Sequence, residues 1–448
     1  MMNRKKTHSS FIIHYSSLKT MALNLKDPDY KRIVIVGGGF AGLTLAQKLI
    51  NTKYQVVLVD KNNYFQFQPL FYQVAMGGLE PSSIVFPFRK VFQKADNVLF
   101  RVAELKEIFS EEKYIQTDIG QLTYDYLVIA VGADTNFFGN KNIEENAIPM
   151  KSVSEALFLR NAILDDYEKA LLTNEVSEQE YLFDVVVVGG GATGVEVSGA
   201  LAEMRNNVLP KEYKELNYRS MDIYLVQSGT RLLNTMSENA SAAAQRYLEE
   251  MGVKILFGNA VTDYDGKNVI FKNGDKIAAH KLIWAAGIIC NDAKGLPPES
   301  FVRGKRVKTN AFHAVEGVKN IFAIGDIAFM QEGKFVETGH PQVAQTAIQM
   351  AKNLANNFKN ELNGKAPTAF HYKDLGSLAT IGRNKAVADL PFWHFQGVFA
   401  WFVWMFVHLT SLMGVKNKVF VFLNWVWGYI SYDQGLRLII RPKIKNKV

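Results

Sequence analysis

The feature that most constrains this chain is a pattern it carries twice. Arg32-Ile33-Val34-Ile35-Val36 runs into Gly37-Gly38-Gly39-Phe40-Ala41-Gly42, and Asp184-Val185-Val186-Val187-Val188 runs into Gly189-Gly190-Gly191-Ala192-Thr193-Gly194. Each copy is a short β-branched strand, then G-x-G-x-x-G, then a helix-like segment, Leu43–Ile50 in the first and Val195–Leu209 in the second. The glycines let the backbone turn tightly and approach a pyrophosphate, which rests on the N-terminus of the following helix. A lone G-x-G-x-x-G is a weak signal, but here each copy has the strand before and the helix after that it needs. Two copies predict an α/β architecture, doubly wound, with two dinucleotide sites. The alternative is two tight turns that hold no ligand.

The second strand of each unit should end on a residue that reads the ribose. Val56-Val57-Leu58-Val59 ends at Asp60, whose carboxylate can accept hydrogen bonds from ribose hydroxyls. Ile223-Tyr224-Leu225-Val226 ends at Gln227, which is neutral and does not repel a 2′-phosphate as a carboxylate does. Both NADH and NADPH therefore stay open at the second site. Later, Asn320-Ile321-Phe322-Ala323-Ile324-Gly325-Asp326 delivers Gly-Asp at the C-terminal edge of an apolar strand, where ligands bind in open α/β sheets. Taken alone, Asp326 reads equally as a helix N-cap. The runs Tyr126–Val131, ending in Gly132-Ala133, and Leu282–Ala286, ending in Gly287, read as crossings between domains.

Composition excludes several classes. A chain of 448 residues that is 48% hydrophobic and 21% charged is an ordinary folded protein, and its mean hydropathy of −0.04 argues against many membrane spans. Cys290 is the single cysteine, so disulfide reduction and sulfide:quinone chemistry, which need a cysteine pair, are excluded. The eight histidines are dispersed with no metal-ligand spacing, and no metal is expected. Neither G-x-S-x-G nor a Walker A motif is present.

The net charge of +8 sits at the two ends. Residues 1–26 hold five Lys/Arg and no acid, and residues 383–448 hold nine against Asp389 and Asp433. Nucleic acid is not expected as a partner, because that needs a basic stripe on the folded body. Basic ends beside aromatic segments suit an anionic membrane surface. Residues 1–30 read as a disordered leader, with a transit peptide or a true start at Met21 as alternatives; the apolar patch Phe11-Ile12-Ile13 is too short for a secretory core. Residues 392–432 hold 14 aromatics in 41 positions, including five of the six tryptophans. The apolar runs Gly397–Met413 and Val419–Ser431 fall short of the roughly 20 residues that a spanning helix needs. They read as two helices lying in one leaflet, with Lys416, Lys418, Arg437, Arg441, Lys443, Lys445 and Lys447 near lipid phosphates. A buried dimer interface and one true span are the alternatives.

Over roughly residues 31–385 the order of these elements resembles the two-dinucleotide-binding-domain flavoproteins. The resemblance implies FAD, held non-covalently, at Gly37, Gly39, Phe40, Ala41, Gly42, Asp60, Gly132, Gly325, Asp326 and Gln345. It implies NADH or NADPH at Gly189, Gly191, Thr193, Gly194, Glu196, Gln227 and Gly287. Within that group the chain resembles the type II NADH:quinone oxidoreductases. Phe67-Gln68-Pro69-Leu70-Phe71-Tyr72-Gln73 follows the first unit as in those enzymes, Ala344-Gln345-Thr346-Ala347-Ile348-Gln349 matches their A-Q-x-A-x-Q quinone motif, and the aromatic C-terminal segment resembles their membrane anchor. Gln227 departs from the pattern, since NADH-selective members usually have Glu there.

That resemblance implies quinone contact at Ala344, Gln345, Ala347 and Gln349. The two glutamines are four residues apart, share a helix face and can donate to a quinone carbonyl; a polar stripe on an amphipathic helix is the plain alternative. Glu196 sits in a first helical turn, where the macrodipole alone favours a carboxylate, and the resemblance implies a place near nicotinamide and flavin. Lys385, in Ile381-Gly382-Arg383-Asn384-Lys385, is implied as a cation for the reduced quinone, against a solvated basic turn.

The expected organisation is a leader (1–30), an FAD domain in two parts (31–148 and 299–382), an inserted NAD(P)H domain (149–298) and a membrane-anchoring region (383–448). The expected function is non-pumping, FAD-dependent oxidation of NADH, or NADPH, with reduction of ubiquinone or menaquinone. The expected setting is a homodimer on the cytoplasmic face of the inner membrane. Two rivals stand beside it: a flavin-bound redox sensor, and a soluble reductase of a protein acceptor, whose C-terminus should be polar.

Overall fold

The computed structural model describes residues 29–217 and 220–431, together with 23, 25, 435 and 437–440. The cations Arg441, Lys443, Lys445 and Lys447, and nearly all of the leader, lie outside the described residues. The chain forms two compact units. One is drawn from Met1–Asn63, Phe92–Gly132 and Asn291–His371, the other from Tyr64–Val91, Ala133–Cys290 and Tyr372–Val448. This grouping differs from one drawn by motif. Residues 64–91 and 372–382 go with the second unit because they pack on its body: Gln66 Oε1 accepts the Val153 N–H at 3.1 Å, and a Cβ added to Gly199 would lie 1.7 Å from the Ile381 carbonyl oxygen.

The first unit is built on a five-stranded parallel sheet in the order Ile321–Ala323, Tyr126–Ile129, Arg32–Val36, Gln55–Asp60, Val98–Val102. Ile33, Val34, Ile35 and Leu58 are completely buried, as an unbroken apolar run should be when both sheet faces are covered. The helices Phe40–Lys48 and Ala344–Leu362 pack against each other. At the far end of the sheet, Glu361 accepts from Lys31 Nζ (2.7 Å), Tyr126 Oη (2.5 Å) and Tyr54 Oη (3.0 Å), fixing the C-terminal end of the long helix.

The second unit repeats the plan with the order Ile148–Pro149, Lys281–Trp284, Val185–Val188, Ile223–Gln227, Val253–Phe257. Its far end is held by a buried pair, Lys281 Nζ with Asp166 Oδ2 at 2.5 Å. The two runs read as crossings are inner strands of the two sheets, paired on both sides. The chain passes from one unit to the other just after them, between residues 132 and 133 and between 290 and 291. Both helices begin inside their glycine motif, Phe40–Lys48 and Ala192–Glu203, earlier than their apolar spacing suggests. The second ends early because Pro210, with no N–H to continue the ladder, follows a π turn at Met204–Val208.

The C-terminal part of the second unit is an antiparallel sheet, Ser377–Gly382, Lys385–Leu390 and Trp393–Gln396, followed by helices Val398–Ser411 and Val415–Ser431. Ala400 and Trp404, one turn apart, are buried, with Ala400 packed on Ala386 and Ala388. Phe399, Phe402 and Phe406 stand out at the complementary spacing, 51–67% exposed. Among the described residues no helix is long and apolar enough to cross a membrane.

Candidate active site

The first glycine loop lies at the C-terminal end of Arg32–Val36. Gly37 has φ +103°, and an added Cβ there would lie 2.2 Å from the Ala130 carbonyl oxygen. A Cβ on Gly42 would lie 1.8 Å from the Gly37 carbonyl oxygen, so only glycine lets the helix come this close to the loop. Gly39, between them, faces open space with nothing within 4 Å. That is the arrangement a pyrophosphate needs: a tight turn, a bare backbone and a helix N-terminus. Asp60 closes the loop, accepting the Gly38 N–H at 2.6 Å through Oδ2 and the Asn62 N–H at 2.7 Å through Oδ1. Burial raises its carboxyl above the ordinary range, and the two N–H bonds pull it back. Gly325, at φ +77°, leaves just enough room for its neighbours, its absent Cβ being 3.1 Å from Ala41 Cβ and 3.6 Å from Ala347 Cβ. Asp326 and the first turn of Ala344–Leu362, with Ala344, Gln345 and Gln349 half-buried and Ala347 buried, therefore stand at the same edge as the loop. The residues present fit an FAD adenosine diphosphate.

The second loop has the same construction. Gly189 has φ +114°, with Ala285 O 2.6 Å from an added Cβ; Gly191 faces open space; and a Cβ on Gly194 would be 1.8 Å from Gly189 O. Gln227 Oε1 accepts the Gly190 N–H at 3.0 Å, as Asp60 does for Gly38, but without a charge. Thr193 is exposed at the helix start, and Gly287 turns at φ +75° beside Phe138 and Asn136.

The third feature was not expected. Glu196 and Glu203 project from one face of Ala192–Glu203 into a pocket that is open to solvent. Its other walls come from Tyr72 and Gln73, from the Thr380–Arg383 strand end, and from Trp401, Trp404, Trp425 and Tyr429 of the two C-terminal helices. Gln73 accepts the Trp425 indole N–H at 2.8 Å and donates to Tyr72 Oη at 2.8 Å. Burial pushes the Glu196 carboxyl up to about 8, against the Thr380 backbone N–H and the nearby Trp404 indole. That indole N–H is buried and makes no hydrogen bond of ordinary geometry with the protein. Trp404 stacks on His408, ring centroids 4.0 Å apart, and burial pulls His408 down to about 4. Arg383 lies over the Tyr429 ring, 4.1 Å from its centroid, and donates to the Tyr429 carbonyl at 2.5 Å.

Two expected cations are engaged elsewhere. Lys385 does not line the pocket: its Nζ pairs with Glu250 Oε2 at 2.6 Å and lies over the Tyr247 ring. Arg383 and Asn384 form the turn between the two strands, Asn384 at positive φ, so the same-face rule for residues two apart in a strand does not hold between 383 and 385, and Arg383 lines the pocket instead. Arg437, expected at lipid phosphates, donates to Glu212 Oε2 at 2.7 Å. Sequence reasoning missed Tyr72, Gln73, Glu203 and Arg383. The first two lay within a recognised motif to which no role was given. Arg383 lay in the basic segment from which Lys385 was chosen, and Glu203 had no local signal.

Residues 31–351 match the sequence profile of the pyridine nucleotide-disulphide oxidoreductases, and residues 375–431 match that of the NDH2 C-terminal domain. The two loops and the first of these matches define the class: an α/β oxidoreductase with two nucleotide-binding units. A type II NADH:quinone oxidoreductase of Mycobacterium tuberculosis is 33% identical over 91% of this chain and 90% of its own length. Another, from Haemophilus influenzae, is 30% identical over 93% and 99%. The structure of NDH2 from Plasmodium falciparum in complex with NADH superposes with a TM-score of 0.83 at 26% identity, covering 92% of this chain and all of that one. The chain belongs to the type II NADH:quinone oxidoreductase family.

Proposed function

We propose that this chain oxidises NADH and reduces a membrane quinone whose head group enters the pocket of the second unit. The observation that carries this reading is the pocket itself: aromatic walls around a carboxyl that stays protonated up to about pH 8. A quinone ring is flat and apolar with a carbonyl at each end, so it needs aromatic walls, hydrogen-bond donors and a proton source. Glu196 supplies the proton, the buried Trp404 N–H a donor, and Arg383 a positive charge for the oxygen that gains electron density. The motif residues Ala344, Gln345, Ala347 and Gln349 are a separate proposal for quinone contact: they stand beside the glycine loop of the first unit and do not line this pocket.

FAD, bound non-covalently at the first loop, supplies the two-electron chemistry that no side chain here possesses. Gly37, Gly39, Phe40, Ala41 and Gly42 would cradle its pyrophosphate and Asp60 its ribose, with Gly132, Gly325, Asp326 and Gln345 as further contacts. Gly189, Gly191, Thr193, Gly194 and Gly287 would receive the nicotinamide nucleotide, and Gln227 its ribose. Turnover is not coupled to pumping.

The protein is membrane-associated. Its helices of 14 and 17 residues, shorter than the roughly 20 needed to span, present Phe406, Phe420, Trp427 and Ile430 to the outside and would lie in one leaflet with Lys416 and Lys418 beside lipid phosphates. We place this on the cytoplasmic face and read the assembly as a homodimer. The test is NADH and NADPH oxidation by the purified protein in mild detergent, with and without a short-chain quinone, across pH. The expected result is oxidation that depends on quinone and declines as pH rises through about 8. A flavin bleached by NADH but not reoxidised by quinone would move the weight to a sensor or a protein-acceptor reductase.

A further inference from the structure

Reducing a quinone to a quinol takes two electrons and two protons. NADH releases two electrons and one proton as hydride, so the balanced reaction, NADH + H⁺ + Q → NAD⁺ + QH₂, draws one proton from water each turnover. The pocket offers more than one place to hold that proton. Glu203 follows Glu196 by seven residues, two turns along, so both carboxylates share one helix face. Ala200, between them on that face, carries only a methyl and also lines the pocket. Tyr72, fully enclosed, lies within the field of both carboxylates, its phenol held up first by burial, then by Glu196 and more weakly by Glu203.

The surroundings of Glu203 mark it as more than a surface acid. Its Oε1 accepts the Arg383 backbone N–H, and a Cβ added to Gly382 would lie 3.1 Å from that oxygen. The charged groups facing it are the Arg383 guanidinium and Lys385, the latter paired with Glu250, and Tyr72 is the other titratable neighbour. The helix turns to π geometry immediately after it, at Met204–Val208, which brings Asn207 to the pocket wall while Asn206 is exposed to water. Helix interruptions of this kind are frequent at functional sites. Burial raises the Glu203 carboxyl above its ordinary range, against the Arg383 N–H and the Arg383 and Lys385 charges, which favours its protonated form.

We propose that Glu203 is the port through which the proton consumed by quinone reduction enters the pocket, passing through water in the pocket along the Ala200 face to Glu196, which gives it to the quinone oxygen. This rests on the reading of the pocket as the quinone site. Glu203 takes the proton from water at the π turn; Glu196, after donating, is reprotonated from Glu203.

Glu203→Gln tests it, because an amide still accepts the Arg383 N–H but cannot ionise. With a short-chain ubiquinone, NADH oxidation should fall by about a hundredfold. With ferricyanide, which takes electrons and no proton, the rate should stay within about twofold of wild type. Infrared spectra of the wild-type protein should show a protonated-carboxyl band that disappears on alkaline titration and is missing from the variant. Should the variant fold poorly, Glu203→Ala with added formate serves instead, formate restoring the quinone rate but not altering the ferricyanide rate. An unchanged quinone rate in Glu203→Gln, or an equal loss with both acceptors, overturns the relay while leaving the pocket in place. A wild-type protein that reduces no quinone overturns the pocket reading, and the relay with it.

Discussion

The two glycine loops are the same object built twice, and they differ in what surrounds them. In each, the N–H of the second glycine donates to the side chain that ends the next strand: Gly38 to Asp60 at 2.6 Å, Gly190 to Gln227 at 3.0 Å. One acceptor is charged and the other is not. The helices that follow differ as well. Thr44 occupies in the first the position that Glu196 holds in the second, two residues after the last glycine. The first helix packs Leu43, Leu45 and Ala46 into a closed core, while the second opens one face onto a pocket. The backbone of a nucleotide cradle is therefore a reusable part, set by glycine sterics, and the chemistry beside it depends on single polar residues that the cradle does not dictate.

The largest effect should come from the glycines. Gly42→Ala and Gly194→Ala each drive a Cβ to 1.8 Å from a backbone oxygen, and either should destabilise its unit by several kcal/mol or prevent folding. Gly39→Ala places its methyl in open space, so the protein should keep the melting temperature of the flavin-free wild type and lose bound flavin. Flavin absorbance per protein and thermal melts separate the two outcomes. Equal effects at 39 and 42 would break the claim that the cradle has one steric and one ligand-facing glycine.

The next effect concerns how the far ends of the two sheets are tied. Burial works against both members of the Lys281–Asp166 pair, pulling the lysine below its ordinary range. Hydrogen bonds from His280, Lys281 and Lys169 overcome it at Asp166 and hold that carboxyl at about 2. Asp166→Ala leaves a buried ammonium and should cost about 3–5 kcal/mol in urea unfolding. Glu361→Gln in the first unit, where the Lys31–Glu361 ion pair is half exposed, should cost about 1 kcal/mol or less. Asp166 is depressed relative to the unfolded value of 3.8. Its stabilisation is therefore full above pH 4 and lost as pH falls toward 2. Acid melts of wild type and Asp166→Ala should converge in that window.

The smallest effect sharpens the loop comparison most. Gln227→Glu makes the second loop resemble the first while keeping the Gly190 hydrogen bond. It should lower kcat/KM for NADPH by about a hundredfold, roughly 2.7 kcal/mol, and leave NADH within a few-fold. An unchanged NADPH/NADH ratio would mean that the ribose is read elsewhere.

Much of the first loop could be read without coordinates, because a tight turn and a close backbone approach leave glycines at fixed spacing. The strand-end residues were legible for the same local reason. The interior character of Tyr126–Ile129 and Lys281–Trp284 was not, since strand order depends on non-local pairing. Nor was the fate of Lys385, whose basic turn looked the same whether it faced the pocket or Glu250. Glu203 lies in a largely apolar helical stretch, and only the packing of Thr380–Arg383 across the helix half-buries it and raises its proton affinity.

The chain alone determined the elements governed by neighbours in sequence: two β-strand, glycine-loop and helix units, an acid and an amide at matching strand ends, and an aromatic segment too short to span a bilayer. Tertiary structure alone decided which polar groups left water together. It brought Glu196 and Glu203 of one helix, Tyr72 and Gln73 from a hundred residues earlier, and Arg383, Trp404 and Trp425 from two hundred residues later around one pocket. Proton affinity and hydrogen-bond need are set by burial and by these distant neighbours, and no local pattern of residues encodes either.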